Sequence, residues 1–177
     1  MEQEVHKETM KKEQCLVLIK PDAVLKGLTG DIISDLAATG LGIVGAKVVE
    51  VTRELAEEHY QHLREEKFFS ELIDYITGEF HTRTVVALVY EGEYACKKIR
   101  DAAGSTNPEE AHPGSIRGKY GRITSKGRFE NVIHASESAK EGEREIKLWF
   151  RPGELVSAIF ETETRSMTTK ETFWKGG

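Results

Sequence analysis

His134 closes a short apolar run, Val132-Ile133. It is followed by the small residue Ala135 and by Ser136-Glu137-Ser138, a segment suited to opening a helix. Imidazole is a nucleophile as well as an acid or base. The charges from Arg117 to Arg128 are all positive, in a chain of 177 residues with a net charge of −5. A histidine at a strand-to-helix junction beside a cationic loop is placed to meet an anion. Helix N-termini offer free N–H groups and favour negative charge. Glu145 lies seven positions after Ser138, two turns into the next helix. From there it can fold back and hydrogen-bond the imidazole, keeping one ring nitrogen protonated and the other free to attack.

Lys20, Arg100 and Arg117 are the candidate phosphate clamps. Lys20 ends a strand, and Arg117 lies in a long loop beside Gly114, Ser115 and Gly118. Phosphoryl transfer is largely positioning plus neutralisation of charge, so several cations around one nucleophile suit it. Arg100 by itself reads equally as part of a basic helix face with Lys97. Phe68 lies off the apolar stripe that includes Phe69. An exposed ring there can stack on a base. Packing beside Leu72 is the alternative.

Other constellations are weaker. Gly114-Ser115-Ile116-Arg117-Gly118-Lys119 imitates a P-loop, but it is one residue short between glycines, Tyr120 replaces the Ser or Thr, and no strand precedes it. His59 and His62 stand three apart without a clear third ligand, and they read as surface or packing residues. No His/Cys cluster has zinc spacing, and no Gly-x-Ser-x-Gly elbow occurs.

Composition sets the outer bounds. The length fits one domain with polar tails. The acidic balance argues against broad nucleic-acid or membrane affinity. Two cysteines, Cys15 and Cys96, make no disulfide framework. No apolar stretch approaches a membrane span. A cytoplasmic protein is expected. Its domain is placed at residues 14–160, between a polar N-terminal extension, 1–13, and a C-terminal tail, 161–177.

These residues must be positioned by a small set of elements. Cys15–Ile19 reads as a central strand, closed at Lys20 because Pro21 restricts its predecessor to extended conformations. Ile32, Ile33 and Leu36 mark a helix with Gly40 at its end. Ile43–Val51 reads as a strand. A helix follows, N-capped by Thr52 and carrying Leu55, Tyr60 and Leu63. Phe69, Leu72, Ile73 and Ile76 mark another, stopped by Gly78. Thr84–Tyr90 reads as a strand and Glu93–Ala103 as a helix. Residues 104–130 show no periodicity and read as a long, functional loop. Asn131–His134 reads as a fourth strand. Ser138 with Glu141 reads as a capping box for a helix reaching about Phe150. Two β-α-β units sharing one sheet make a ferredoxin-like α+β fold, a four-stranded antiparallel sheet covered by helices. A doubly wound α/β sheet is the alternative, but it wants a Gly-rich turn where Lys20-Pro21-Asp22 stands.

Taken in order, several segments resemble the nucleoside diphosphate kinase family from about Gln14 to Leu155. They are Leu18–Asp22, His59-Tyr60, Phe68-Phe69, Gly104–Pro108, Pro113–Gly118, Asn131–Ser136 and Glu145–Phe150. The resemblance implies a ferredoxin-like subunit and a ping-pong reaction. A nucleoside triphosphate gives its γ-phosphoryl to His134, and a nucleoside diphosphate takes it away. It implies Glu145 as the orienting carboxylate, with Tyr60 and Ser136 as supporting partners. It implies Lys20, Arg100, Thr106 and Arg117 as phosphate contacts, Phe68 with Leu72 at the base, and Asn131 at the sugar and phosphates. Mg²⁺ comes with the nucleotide, so no protein metal site is expected. The resemblance further implies broad base specificity and self-association as a hexamer, tetramer or dimer, and no membrane or nucleic acid is expected to be required.

The chain departs from the family pattern in two segments that are longer than usual, Gly78–Thr84 and Lys119–Glu130. Phe129-Glu130 replaces a Gly-Arg pair, putting a carboxylate near the site, with Arg122 or Arg128 as substitute cations. Phe173-Trp174 and both insertions bear on assembly. A non-catalytic paralogue would be expected to lack the histidine or a clamp, and all are present. An RNA-binding ferredoxin-like domain would need aromatics on the sheet face, where the strands carry valine and leucine.

Overall fold

A computed structural model describes residues 12–166; the Phe173-Trp174 tail lies outside them. The chain opens with strand β1 (Lys12–Ile19), short helix α1 (Pro21–Leu25) and helix α2 (Thr29–Ala37). Strand β2 (Gly42–Glu50) and helices α3 (Arg53–His59) and α4 (Phe69–Ile76) come next, then strand β3 (Thr84–Glu93) and helix α5 (Ala95–Ala103). Helix α6 (Ile116–Tyr120), strands β4 (Arg122–Ile123), β5 (Phe129–Glu130) and β6 (Ile133–Ala135), and helix α7 (Ala139–Trp149) complete it. The main sheet runs β2-β3-β1-β6, every pair antiparallel. This is the ferredoxin-like architecture, with helices covering the sheet.

β1 is central because both of its faces are covered. Cys15 through Ile19 are all fully buried, which is why the sequence shows an apolar run there rather than an alternation. The period of two still operates inside the molecule. Cys15, Val17 and Ile19 join a core layer with Ile32, Ile99 and Ile133. Leu16 and Leu18 join the opposite layer with Tyr60, Ile73, Ile146 and Trp149. Each such aliphatic side chain stabilises the fold by roughly 1.5–3 kcal/mol.

This alternation decides which way His134 faces. On β6 it pairs with Leu18, between Ile133 opposite Ile19 and Ala135 opposite Val17. Ile133 and Ala135 belong to the first layer, so His134 is turned toward the second, where Tyr60 and Trp149 lie. α7 lies close on β1 because Gly142 has no side chain. A Cβ there would sit 2.6 Å from the Gln14 carbonyl oxygen. That approach brings Glu145, one turn later, against the sheet.

The structure revises several boundaries. β1 begins at Lys12, since Lys12, Glu13 and Gln14 pair with Glu93, Gly92 and Glu91. β3 accordingly runs to Glu93, and α5 starts at Ala95 after Tyr94 turns at φ 54°. The helix after Thr52 stops at His59, and a 3-10 turn, Gln61–Leu63, replaces its last part. α1 was not anticipated; at five residues it is too short to show a period.

The segment 104–130 is not structureless. Ser115 caps α6 by accepting from the Gly118 N–H, and β4 and β5 form a hairpin closed by Thr124–Gly127. Two-residue strands carry no readable alternation. Ser138 caps α7 by accepting from the Glu141 N–H. The capping box is only half made, because the Glu141 carboxylate takes its bond from Arg144 instead.

Candidate active site

β6 begins two residues later than the expected strand, at Ile133, because Val132 adopts φ 57°. That region is unfavourable for a β-branched residue and costs about 1–3 kcal/mol. The start of α1 over-determines it. The Val132 N–H donates to Asp22 Oδ2 at 3.2 Å, and the Lys20 N–H donates to the Val132 carbonyl at 2.9 Å. The other Asp22 oxygen accepts from the Tyr75 hydroxyl at 2.5 Å. The kink turns Asn131 back toward Lys20 while Ile133 and His134 enter the sheet.

His134 Nε2 lies 3.0 and 3.1 Å from the two oxygens of Glu145. Burial opposes charge on Glu145, but His134, Ser136 and Arg144 outweigh it and hold the carboxyl below its usual range. An ionised carboxylate only accepts, so Nε2 carries the proton and Nδ1 keeps its lone pair. Among the described residues nothing bonds Nδ1, and the His134 side chain is 17 % exposed. Ser136 donates its hydroxyl to Glu145 Oε2 at 2.6 Å and accepts from the Leu16 N–H at 3.0 Å. The Tyr60 ring stands 6.2 Å from the His134 ring, edge to face. Its hydroxyl is buried without a partner among the described residues. Burial and the Glu145 charge raise the Tyr60 pKa, against a smaller opposing effect from Arg117. The phenol therefore remains a donor with nothing to donate to.

The cations crowd one another. Lys20, 6 % exposed, donates to Asn131 Oδ1 at 2.8 Å, and Asn131 donates to the Thr106 carbonyl at 3.1 Å. Burial and the Arg117 charge lower the Lys20 pKa to about 8, against a counter-pull from Asp22. Arg117 donates to the carbonyls of Gly104 at 2.6 Å and Ile133 at 3.0 Å. Its Nε is buried without a partner among the described residues. Burial and the Arg100 charge lower the Arg117 pKa to about 10. Arg100 itself is exposed on α5 and lines a cleft of about 310 Å³ with Lys97 and Ser138. Like charges held together with unsatisfied donors between them make a site for an anion.

Phe68 is 51 % exposed at the start of α4, and its carbonyl accepts from the Leu72 N–H. It is free to stack, whereas Leu72 is half-buried against the second core layer. Among the described residues no hydrogen bond or ring contact joins this pair to the His134 cluster. The Thr106 side chain is exposed, and only its carbonyl is engaged.

Two expectations are corrected. Glu130 does not present its charge to the site. It is 4 % exposed and accepts from Lys26 at 2.6 Å, Arg122 at 2.6 Å and His81 at 3.0 Å. Burial opposes its charge, but those bonds bring its pKa down to about 2. Arg122 is thereby occupied, and Arg128 pairs with Glu71 and stacks 3.7 Å over Phe80, so neither is a free clamp. The two longer segments thus interlock with each other.

Of the two histidines read as surface or packing residues, His62 is exposed, whereas His59 packs inside the molecule beside His134. It is fully buried, with its ring 4.6 Å from that of His134. His59, His134 and Glu145 offer ligand atoms within 4.8 Å of one another. Such a nitrogen-rich set suits zinc rather than magnesium. Trp149 Nε1 donates to His59 Nδ1 at 3.1 Å, which places the His59 proton on Nε2, where a metal needs a lone pair. The sequence signal was faint, namely a histidine beside Tyr60 at the end of a helix.

The fold and this arrangement are together those of a nucleotide phosphotransferase. The pattern of one protein family, described as nucleoside diphosphate kinase, matches residues 13–155. The nucleoside diphosphate kinase of Pyrococcus horikoshii is 52% identical over 143 residues, 81% of this chain and 88% of that protein. The crystal structure of the Aquifex aeolicus enzyme matches with a TM-score of 0.74 at 39% identity, covering 82% of this chain and 100% of that one. A transition-state mimic of the Borrelia burgdorferi enzyme with bound vanadate and ADP matches with a TM-score of 0.76 at 32% identity, covering 86% and 95%. The chain belongs to the nucleoside diphosphate kinase family. Its reaction moves the γ-phosphoryl of a nucleoside triphosphate to a nucleoside diphosphate in two half-reactions through a histidine.

Proposed function

We propose that His134 is that histidine and that Nδ1 is the attacking atom. The Nδ1 lone pair forms the N–P bond while the bond from the γ-phosphorus to its bridging oxygen breaks. The electron pair leaves on the terminal oxygen of the diphosphate product. In the second half-reaction a terminal oxygen of the acceptor diphosphate attacks the same phosphorus and returns the pair to Nδ1. The observation that carries this reading is the bidentate hold of Glu145 on Nε2, which leaves Nδ1 open among unsatisfied donors.

Lys20, Arg117 and Arg100 neutralise the transferring phosphoryl, the Tyr60 hydroxyl donates to it, and Ser136 holds Glu145. Asn131 and the Thr106 region receive the sugar and phosphates. Phe68, with Leu72, receives the base by stacking, which discriminates little between bases and supports broad specificity. Mg²⁺ enters on the nucleotide phosphates and supplies further charge neutralisation. Self-association through the edge strand β2, which exposes Ile43 and Val48, fits the family. Both cysteines are free, in keeping with a cytoplasmic setting. Among the described residues no helix is long and apolar enough to cross a membrane.

The Lys20 ammonium gives a pH test. It is present below about pH 8 and lost as pH rises through that value. The profile of kcat/KM reports the free enzyme, so kcat/KM is expected to fall above about pH 8. Bound phosphate favours the ammonium, so kcat stays level to a higher pH. Steady-state kinetics from pH 6 to 10 check this. If the same limb persists in Lys20→Met, it belongs to another group.

A further inference from the structure

We propose that His59 is a positioning residue for the second half-reaction, acting through Glu145 to keep the shared proton on His134. This rests on His134 being the phosphoryl carrier.

The tautomer of His59 follows from its surroundings. The Trp149 indole N–H can only donate, and it meets His59 Nδ1 at 3.1 Å. Nδ1 is therefore an acceptor, and the proton of the neutral ring is on Nε2. The ring stays neutral because it is fully buried and faces His134, Arg144, Lys20 and His62, which lower its pKa in that order after burial itself. Among the described residues Nε2 has no hydrogen-bond partner, and Glu145 Oε1 lies 4.0 Å from it. Around that oxygen stand His134 Nε2 at 3.0 Å and the Arg144 guanidinium at 3.9 Å. Arg144 is in turn fixed by donating to the carbonyls of Glu58 and His59. The remaining neighbour is Tyr60, whose ring lies 4.4 Å from that of His59.

The chemical consequence lies in the phosphorylated state. When Nδ1 bonds phosphorus and Nε2 keeps its hydrogen, the ring is an imidazolium. Its Nδ1 is then a good leaving group, because breaking the N–P bond returns a neutral imidazole. If Glu145 took the proton, the ring would be neutral, and Nδ1 would leave as a poor, anionic group. The His59 N–H dipole, 4.0 Å from Oε1, lowers the basicity of Glu145 and so opposes that transfer. In the first half-reaction the proton is already on His134, and the dipole matters less.

The test uses three variants of the full chain. His59→Phe keeps a ring and removes the donor, His59→Gln keeps an N–H near the Nε2 position, and Trp149→Phe removes the bond that sets the tautomer. Rapid mixing measures phosphorylation by ATP and dephosphorylation by ADP separately, with circular dichroism melts alongside. His59→Phe is expected to slow dephosphorylation by roughly tenfold, the low end for partners behind an oriented histidine, and phosphorylation by much less. His59→Gln is expected to restore most of the loss, and Trp149→Phe to slow dephosphorylation in the same direction. Equal slowing of both half-reactions, equal slowing in the Phe and Gln variants, or no slowing overturns the proposal. If His59→Phe fails to fold, Trp149→Phe decides, and an unchanged ratio of the two rates there overturns it. Absence of phosphate on His134 in the unaltered protein would instead overturn the reading on which the proposal rests.

Discussion

Replacing His134 with glutamine is expected to lower turnover by about 10⁶, the scale seen when a covalent nucleophile is removed. Glutamine is the informative choice because its amide N–H can reach Glu145 much as the imidazole Nε2–H does. The buried carboxylate then keeps a donor beside Ser136, so the loss cannot be assigned to a carboxylate left without partners, a defect that costs about 1–3 kcal/mol. The melting temperature should change little, since His134 is partly exposed and its strand pairing is made by the backbone. Coupled-assay turnover and a thermal melt on the same preparation check both halves. Residual turnover within a hundredfold of the starting protein would move the nucleophile elsewhere.

The second large effect is expected at Arg117. Replacement by leucine removes a largely buried cation of the cluster, one already held against Arg100 and Lys20. A single guanidinium aimed at a transferring phosphoryl contributes about 10³–10⁵ in rate, and a fall in kcat of that order is expected. Stability should also drop by about 1–3 kcal/mol, because the carbonyls of Gly104 and Ile133 lose their donor. Arg117→Lys is expected to recover only part of the rate. An ammonium cannot hold both carbonyls in a fork and still face the phosphate. Unchanged kcat in Arg117→Leu with a raised KM would show that Arg117 binds ground state and transition state equally.

The sequence was most legible where local pattern and long-range structure agree. The apolar run at Cys15–Ile19 could only be a strand covered on both faces, and it is one. The seven-residue step from Ser138 placed Glu145 within reach of His134, and the two meet at 3.0 Å. Four elements of two to five residues, α1, α6 and the two strands of the β4–β5 hairpin, were invisible, since neither a period of two nor one of 3.6 repeats within them. The kink at Val132 was hidden for a different reason. A valine normally argues for extended backbone, and only the contacts from Asp22 and Lys20 force it otherwise. Glu130 looked like a charge near the site because its partners, Lys26 and His81, lie 104 and 49 residues away. The place of His59 beside His134 left only a faint local signature, because its burial and the bond from Trp149, 90 residues on, are long-range features.

The account stands most directly on where the phosphoryl group resides between the half-reactions. The protein is mixed with radiolabelled ATP and Mg²⁺ without an acceptor, quenched in alkali, digested and mapped. One equivalent of ADP should appear, with an acid-labile phosphate on the peptide containing His134 and attached at Nδ1. Label on another residue, or ADP released only when an acceptor diphosphate is present, would contradict it.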